Sequence, residues 1–285
     1  MIILLTAGGR TGNQLFQLSY AISKRTSSEW LVSFDFGSTR ALLTGECKKH
    51  WINLESRLLR SLAERFTRQF IKTGLVSAHS DTEGLYDLRH GKIRRIRIMK
   101  GYFESSREHC ADLARIFRLK ESLRSRVRPL LNAMLHGRAP IFIHLRRTDL
   151  KDLAKDANDI KRMLPDRYYL EAIDLLLKRS EGLFCVVVGD DPDHAEALFK
   201  DIEPKYVSRL FPSEDLALMS LCEGGVLSNS TFAWWGAFFG GGRIGYVVPK
   251  YWSGFEKMTW YPPGISANWM TDFIDVSKSS AVRVR

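Results

Sequence analysis

A chain of 285 residues is long enough for one large α/β domain or for two domains of ordinary size. Hydrophobic residues make up 45% of it and charged residues 26%, as in a globular protein, and no apolar run approaches the roughly 18 to 20 residues of a membrane span. The net charge of +11 indicates an anionic partner: a nucleic acid, an anionic lipid surface or a phosphorylated small molecule.

Cysteine usage and the first residues indicate the compartment. The four cysteines, Cys47, Cys110, Cys185 and Cys222, are scattered without a CxxC pair. This pattern favours buried thiols in a reducing compartment over disulfides or a metal site. Residues 1–6 are too few for the apolar part of a signal peptide and lack its basic residues. We therefore expect a cytoplasmic protein.

Residues 2–5 predict a first strand, which a glycine-rich turn at residues 7–14 connects to a helix. Backbone N–H groups of such a turn can approach an anion closely. The turn is neither a Walker loop nor GxGxxG, yet Asp35 ends the next strand where a Rossmann fold places its ribose-binding acid. An NAD(P)-binding Rossmann oxidoreductase therefore stays an alternative. A purely structural turn is another, against which Asn13 and Gln14 argue, because a plain helix cap needs one amide.

Residues 46–72 repeat large apolar side chains every three to four positions, with arginines elsewhere on the wheel. We interpret them as one helix that packs on the core and exposes a basic face; contact with a membrane surface is the alternative. Residues 92–99 alternate basic and apolar side chains, as a half-buried strand does. This stretch lacks interleaved exposed aromatics and a helix-turn-helix pattern, so we expect no nucleic acid partner.

A domain boundary is predicted in the middle of the chain. Two helices are expected between residues 105 and 135, and the glycine and proline of residues 137–140 interrupt the chain after them. The predicted domains are residues 1–137 on the acceptor side and 138–275 for the nucleotide sugar, followed by a basic tail at 276–285.

Residues 141–145 form a short apolar run, which is typical of a strand buried on both faces, and the run ends in charged residues. His144 and Arg146 share one face of this strand, whereas Arg147 lies on the other, where we expect a structural role for it, paired with Asp149. Ligands of open parallel sheets bind beyond the carboxyl ends of the strands. Arg146 therefore predicts a phosphate or pyrophosphate clamp. An Arg–Asp pair with Asp149, which ties a loop to the sheet, is the alternative.

Residues 184–188 predict a second buried strand, and three aspartates follow it. Asp191 and Asp193 match the DxD motif that holds a metal–nucleotide in some sugar transferases. We favour an ordinary N-cap at Asp191, because a proline-led helix begins there. A carboxylate at this rim can also accept a hydrogen bond from a base or a ribose.

Residues 228–231, Ser-Asn-Ser-Thr, lead from another strand into a very apolar helix. Hydroxyl groups and backbone N–H groups at this helix start predict a second anion site. We expect the tryptophans that follow, Trp234 and Trp235, to lie in the core rather than in a cofactor site.

Three separated motifs resemble one known family. Gly-Arg-Thr-Gly-Asn-Gln-Leu-Phe-Gln at residues 9–17, His-Leu-Arg-Arg-Thr-Asp at 144–149 and Ser-Asn-Ser-Thr-Phe-Ala-Trp-Trp at 228–235 resemble the signatures of the α-1,2-fucosyltransferases, glycosyltransferase family 11. The resemblance implies an α/β fold with two Rossmann-like domains of the GT-B type facing across a cleft. It also implies an inverting, metal-independent transfer of L-fucose from GDP-fucose to the 2-hydroxyl of a terminal galactoside, with no cofactor. Thr148 stands where the family usually has glycine and is closer to the α-1,6-fucosyltransferases, so that linkage is an alternative.

The resemblance and the residues together predict the roles of the candidate site. Arg146 stabilises the departing GDP, and His144 and the helix start assist. Asn13 reaches the reacting fucose or the acceptor hydroxyl, and Asp149 and Asp35 are candidates for a base. The predicted donor-binding residues are Gly12, Gln14, Asp190, Asn229, Ser230 and Thr231.

The expected partners follow from the same scheme. They are GDP-fucose and a galactose-terminated oligosaccharide or lipid-linked glycan, such as an O-antigen. Animal relatives carry a membrane anchor that is not seen here, so we expect a bacterial enzyme of the cytoplasm. On the alternative interpretation of residues 46–72, the basic helix and the tail contact the inner face of an anionic membrane peripherally.

Overall fold

The computed structural model describes residues 1–5, 9–82, 85–104, 115, 117–148, 163–252 and 265–277. These residues form two compact units, of which the first contains the described residues up to Lys120 together with Ile265 and Ser266. The second unit contains the other described residues from Glu121 onward. Neither unit contributes, within the described residues, a helix that is both long enough and apolar enough to cross a membrane.

The first unit is built on a six-stranded sheet in the order β3-β2-β1-β6-β4-β5. All neighbouring strands are parallel except β4 and β5, which are antiparallel. The strands are β1 Ile2–Leu5, β2 Leu31–Phe34, β3 Trp51–Leu54, β4 Val76–Thr82, β5 Leu85–Arg89 and β6 Ile93–Lys100. The helices are α1 Thr11–Ser23, α2 Gly37–Leu42 and α3 Arg57–Lys72, and Glu46–Lys48 form a 3-10 turn.

The single helix predicted for residues 46–72 is wrong. The segment contains the 3-10 turn, β3 and α3, and α3 begins after Ser56, whose hydroxyl accepts a hydrogen bond from the Leu59 N–H at 3.3 Å. Trp51 is buried and its indole N–H donates to the Ser33 hydroxyl at 2.8 Å, which fixes β3 beside β2. The apolar residues of β3 and α3 happen to be spaced along the sequence as they would be on the face of a single helix.

The second unit is built on a six-stranded sheet in which all neighbouring strands are parallel. Its strands are β7 Ala139–Leu145, β8 Leu183–Gly189, β9 Lys205–Val207, β10 Gly224–Val226, β11 Gly245–Pro249 and β12 Met270–Ile274. Its helices are α4 Glu121–Leu135, α5 Asp166–Arg179, α6 Pro192–Leu198, α7 Pro212–Met219 and α8 Thr231–Gly240. The predicted α/β class with two Rossmann-like sheets is confirmed.

The order of this second sheet is β12-β11-β10-β7-β8-β9. The chain starts in the middle at β7, adds β8 and β9 on one side, and then returns to add β10 on the other side. This is the doubly wound order of a Rossmann fold, and its switch point lies between β7 and β10. The crevice beyond the carboxyl ends of these two strands is where such sheets bind their ligands.

The second unit begins with α4, at Glu121, whereas the boundary predicted from the sequence lies after this helix. The Arg124 guanidinium of α4 donates to the Ser220 hydroxyl at 3.1 Å and to the Phe239 carbonyl at 2.9 Å. These contacts attach α4 to the α7 and α8 side of the second unit. The Gly137 turn is therefore a connection within the second unit.

The core of the second unit follows the apolar runs of the sequence. Residues 141–145 of β7 and 183–188 of β8 are buried, as predicted. Trp234 and Trp235 are fully buried in the second unit, and their ring centroids lie 5.0 Å apart. The prediction that these aromatics belong to the core is confirmed.

The cysteines of the described residues are buried thiols. Cys47, Cys185 and Cys222 are free, and burial raises the pKa of the Cys47 and Cys185 thiols to about 11. Cys110 lies outside the described residues.

Candidate active site

Two of the sequence motifs meet at the switch point of the second sheet. β7 and β10 are neighbours, with Gly225 opposite Phe142 and Val226 opposite Ile143. The segment that follows β7 begins at Arg146, and the segment that follows β10 leads to Ser228. The two segments therefore leave the sheet side by side at its carboxyl edge, as the sequence analysis expected for ligand-binding residues.

His144 connects the two strand ends. The residue is 6% exposed, and its Nδ1 atom is hydrogen-bonded to the Ser228 hydroxyl at 2.7 Å. The ring centroid lies 5.8 Å from that of Phe232 at the start of α8. These contacts fix the orientation of the imidazole.

Arg146 lies on the same face as His144, as strand geometry requires. Its Nη1 atom donates to the backbone carbonyl of Asn229 at 3.3 Å. The side chain of Asn229 in turn donates from Nδ2 to the Trp252 carbonyl at 2.6 Å. The guanidinium is therefore directed towards the turn between β10 and α8, and this turn is itself held in place.

The start of α8 adds positive potential to the same turn. Ser230 is the N-cap residue, and its hydroxyl accepts a hydrogen bond from the Phe232 N–H at 3.3 Å. Thr231 is the first helical residue, and residues 228–231 are buried. The N-terminus of a helix carries a partial positive charge that favours anions. Arg146 and this helix start thus form a cationic edge beside β7 and β10.

The backbone that carries Arg146 is fixed by Asp190, which follows β8. Its Oδ1 atom accepts a hydrogen bond from the Arg147 N–H at 2.8 Å, and its Oδ2 atom accepts from the Thr148 N–H at 3.2 Å and hydroxyl at 2.7 Å. Gly189 permits this approach, because a Cβ atom there would lie 2.3 Å from the Leu145 carbonyl oxygen. Asp190 therefore holds residues 147–148; the predicted contact with guanine or ribose stays a prediction.

Arg147 points away from Arg146 and forms an ion pair. Its Nη1 atom donates to Oδ1 of Asp166, the first residue of α5, and the same oxygen lies 3.1 Å from Nε2 of His194. The expected structural role of Arg147 is confirmed, with Asp166 as a partner. The pair with Asp149 stays a prediction. Asp149, a predicted catalytic residue, lies outside the described residues.

Two tyrosines next to the site were missed by the sequence analysis. The Tyr168 hydroxyl donates to the Leu227 carbonyl at 2.6 Å, immediately after β10. Burial raises the pKa of Tyr169 far above its ordinary value, while the nearby Arg146 backbone N–H acts in the opposite direction. Both residues begin the inward face of α5, and nothing in a Tyr-Tyr pair distinguishes this position from ordinary core packing.

The first unit places the glycine turn at the start of α1. Gly9 has a φ of +87°, and a Cβ atom there would lie 2.6 Å from Nδ2 of Asn13. The Asn13 amide therefore packs over the turn and is half-buried. Gly12 is buried, and Oε1 of Gln14 accepts a hydrogen bond from the Thr39 hydroxyl. The Gln14 oxygen thus has a structural contact, and the donor-binding roles of Gly12 and Gln14 stay predictions.

Asp35 at the end of β2 is paired with a cation. Its Oδ2 atom lies 3.1 Å from Nη1 of Arg60, and the same guanidinium binds Glu64 at 3.0 Å through Nε. This network ties α3 to the sheet. It gives Asp35 a structural partner and weakens its case as a base.

The DxD spacing is a helix cap. Oδ1 of Asp191 accepts a hydrogen bond from the His194 N–H at 3.2 Å at the start of α6, and Asp193 binds Arg209 at 2.6 Å. The N-cap interpretation is confirmed. Within the described ranges, no three His, Cys, Asp or Glu side chains are grouped as potential metal ligands.

Comparison with known proteins places the chain in a family. Residues 58–271 match the sequence model named Glycosyl transferase family 11. The chain belongs to this glycosyltransferase family. The match includes two of the three motifs, at 144–149 and 228–235, and the predicted family resemblance is confirmed. It removes the support for the oxidoreductase alternative.

Individual family members and solved structures give the extent of the similarity. The chain is 23% identical to an alpha-1,2-colitosyltransferase of Escherichia coli over 282 residues, which cover 92% of this chain and 96% of that protein. It is 26% identical to galactoside alpha-(1,2)-fucosyltransferase 1 of Rattus norvegicus over 163 residues, which cover 52% of this chain and 41% of that protein. NodZ, an α-1,6-fucosyltransferase from Bradyrhizobium crystallised with GDP, has a similar fold, with a TM-score of 0.52, 12% identity and coverage of 82% and 91% of the two chains. The predicted GT-B type of the fold is thereby confirmed.

Proposed function

We propose that this member of family 11 is an inverting fucosyltransferase that moves L-fucose from GDP-fucose to the 2-hydroxyl of a terminal galactoside. The observation that carries the proposal is the meeting of Arg146, His144 and the start of α8 at the switch point of the second sheet. Such a cationic edge suits a nucleoside diphosphate as the leaving group, because the negative charge of the diphosphate grows as its bond to the sugar breaks.

The chemistry assigns a role to each group at this edge. Transfer breaks the C–O bond between fucose and the β-phosphate, and the bonding electrons leave with GDP. The Arg146 guanidinium stabilises that charge with a fork of donors that matches phosphate oxygens. The helix start at Ser230 and Thr231 adds the partial charge of its dipole. We propose that this arrangement replaces a divalent metal ion, so that transfer continues in the presence of EDTA.

His144 and Asp190 support Arg146 in different ways. His144 assists at the diphosphate and is oriented by the Ser228 hydroxyl at 2.7 Å. Asp190 positions residues 147–148 through three hydrogen bonds, of 2.8, 3.2 and 2.7 Å. A hydrogen-bond donor that is fixed in this way, such as the Arg146 guanidinium, stabilises a transition state without the cost of reorganisation during the reaction.

Other assignments rest on the family resemblance. Asn13 is assigned to the reacting fucose or the acceptor hydroxyl, and Gly12, Gln14 and Asn229 are assigned to the donor. Inversion requires a single displacement, with a base on the acceptor hydroxyl where one is needed. Asp149 is the candidate for that base.

We further propose a galactose-terminated oligosaccharide or lipid-linked glycan as the acceptor, and the cytoplasm as the location. Incubation with GDP-fucose and a panel of galactosides, followed by NMR assignment of the new bond, tests donor, acceptor and linkage together. A new α-1,2 bond supports the proposal. An α-1,6 bond would overturn the linkage, and the absence of any fucosylated product across a broad panel would overturn the donor.

A second donor is favoured by one comparison. The relative that aligns with 92% of this chain is a colitosyltransferase, and colitose is fucose without its 3-hydroxyl group. A site that binds a sugar hydroxyl discriminates strongly against the analogue that lacks it. Rates with GDP-fucose and GDP-colitose, measured in parallel, therefore distinguish the two donors.

A further inference from the structure

The helix α3 exposes an apolar surface that the proposed transfer does not use. It contacts the first unit through a narrow face, on which Ala63 and Ile71 pack against the cluster of Phe34, Val76 and Ile98. The opposite face carries large apolar side chains that remain in contact with solvent. Leu58, Leu59, Leu62, Phe66 and Phe70 are exposed to 70, 46, 41, 58 and 40%, respectively.

These residues form one continuous stripe. Leu58, Leu62, Phe66 and Phe70 follow each other at intervals of four positions, so they lie on one side of the helix. From Leu58 to Phe70 the stripe is about 18 Å long at 1.5 Å per residue. Scattered exposed apolar residues are ordinary in proteins, but a contiguous row of this kind marks an interaction surface.

A basic row borders the apolar stripe. Arg57, Arg65, Arg68 and Lys72 are exposed on the neighbouring side of the helix. The single acidic residue of Arg57–Lys72 is Glu64, whose carboxylate is bound to the Arg60 guanidinium at 3.0 Å. A surface depression of about 400 Å³ lies along the basic row, lined by Ser61, Glu64, Arg65, Arg68, Gln69 and Lys72.

We propose that α3 is an interfacial helix that binds the surface of an anionic lipid bilayer. The apolar stripe matches the acyl region of such a surface, and the row of cations matches its phosphate headgroups. In a bilayer these two regions lie next to each other, so both can contact the helix along its whole length. A second copy of this chain is a poorer partner, because contact between two such faces brings two basic rows together. The inference is independent of the sugar donor and of the acceptor.

The direct test is co-sedimentation of the full chain with vesicles at physiological salt. We expect binding to vesicles that contain phosphatidylglycerol in phosphatidylcholine, weaker binding in high salt because the charges are screened, and little binding to phosphatidylcholine alone. Protein that stays in the supernatant with the anionic vesicles would overturn the proposal.

Two pairs of matched variants locate the binding surface. Leu62→Ser with Phe66→Ser is expected to weaken binding on the order of tenfold or more, because two apolar side chains no longer enter the bilayer. Its control is Leu177→Ser with Phe211→Ser, two side chains exposed to 45 and 75% in the second unit.

Arg65→Ala with Arg68→Ala is expected to weaken binding by about tenfold. Its control, Arg209→Ala with Arg243→Ala, makes the same change in net charge.

Two further measurements test whether α3 itself contacts the bilayer. Slower hydrogen exchange at residues 57–72 of the unmodified chain on addition of anionic vesicles is expected, and it needs no variant to fold. Transfer to a soluble galactoside is expected to be unchanged in both α3 variants. Vesicle binding that is equal in the α3 variants and their controls would assign it elsewhere. Concentration-dependent self-association that the Leu62 and Phe66 substitutions abolish would show that α3 binds a second copy instead.

Discussion

Two groups of arginines in this chain are held in opposite ways. At the carboxyl edge of the second sheet, Arg146 donates to the Asn229 carbonyl, and Asp190 fixes the backbone that follows. On α3, Arg65 and Arg68 are exposed beside an apolar stripe. A guanidinium fixed in one orientation suits a ligand whose charges have one geometry, such as a diphosphate. Exposed cations suit a surface whose charges have no fixed positions, such as a bilayer.

The largest expected effect concerns the fixed group. Arg146→Ala removes the guanidinium that we assign to the leaving diphosphate, and kcat at saturating donor is expected to fall on the order of 10²–10³-fold. Arg146→Lys retains the charge without the planar fork, so an intermediate loss is expected. Initial rates with GDP-fucose measure both.

The control for these variants is Arg243→Ala. Arg243 is an arginine whose side chain is 84% exposed and which binds Glu223 at 3.1 Å just before β11, at the amino end of the second sheet. Its loss is expected to leave kcat unchanged. Turnover close to that of the unmodified chain in both Arg146 variants would remove the distinction between the two arginine groups.

The Asp215 carboxyl group differs from both groups of arginines, because its burial favours the neutral form. Burial raises the pKa of Asp215 to about 6 from 3.8, although the Ser208 hydroxyl, which donates to it at 2.5 Å, acts in the opposite direction. The folded state therefore binds this proton more tightly than the unfolded chain. The resulting stabilisation is present below the unfolded pKa and is lost as the pH rises through about 6.

Asp215→Asn removes this pH dependence, because the amide does not titrate. Between about pH 4 and pH 6.5, the free energy of unfolding of the unmodified chain is expected to fall by roughly 2–3 kcal/mol relative to the variant. Urea denaturation of the two proteins at a series of pH values measures the difference. Parallel curves across this range would contradict the assignment.

Substitutions of Asp190 test how much the fixed backbone of residues 147–148 contributes to kcat. Asp190→Ala removes the acceptors of three hydrogen bonds to residues 147–148, and kcat is expected to fall about tenfold with little change in the affinity for GDP. Asp190→Asn retains one acceptor and is expected to restore part of the activity. The control is Asp193→Ala, which removes an exposed carboxylate close by. A large loss of GDP affinity with unchanged kcat would favour the direct contact with guanine or ribose.

The smallest effect is expected from the ion pair between Asp35 and α3. Asp35 and Arg60 form a pair whose side chains are 30 and 35% exposed, so Asp35→Asn is expected to lower the free energy of unfolding by less than about 1 kcal/mol. Transfer is expected to be unchanged, because the carboxylate already has a structural partner. A loss of transfer without a loss of stability would return Asp35 to the candidates for a base.

The centre of the second sheet could be predicted from the sequence, because β7 and β8 are apolar runs. Residues 141–145 and 184–188 admit one interpretation in a doubly wound sheet, and the charged residues after them must lie at its carboxyl edge. The position of Arg146 and His144 at this edge was predicted in this way. The helix cap at Asp191 was also predictable, since a proline follows it directly.

Other features depend on contacts that no local pattern contains. The pairing of Arg147 with Asp166 joins residues from two elements, and Asp149 is the nearer carboxylate in sequence. Residues 46–72 predict one helix because Trp51 in β3 and Leu58 in α3 have a helical spacing by coincidence. The same prediction places the apolar side of α3 in the core, whereas Leu58 and Phe66 are exposed. Periodicity shows which residues share a face, but the fold decides what that face contacts.

The central claim is that the diphosphate of the donor binds at the edge formed by Arg146 and the start of α8. A crystal structure of the complex with GDP tests it most directly. We predict a β-phosphate oxygen within about 3 Å of the Arg146 guanidinium, with the diphosphate facing the N-terminus of α8. A diphosphate bound at any other part of the chain, away from Arg146, would contradict the account.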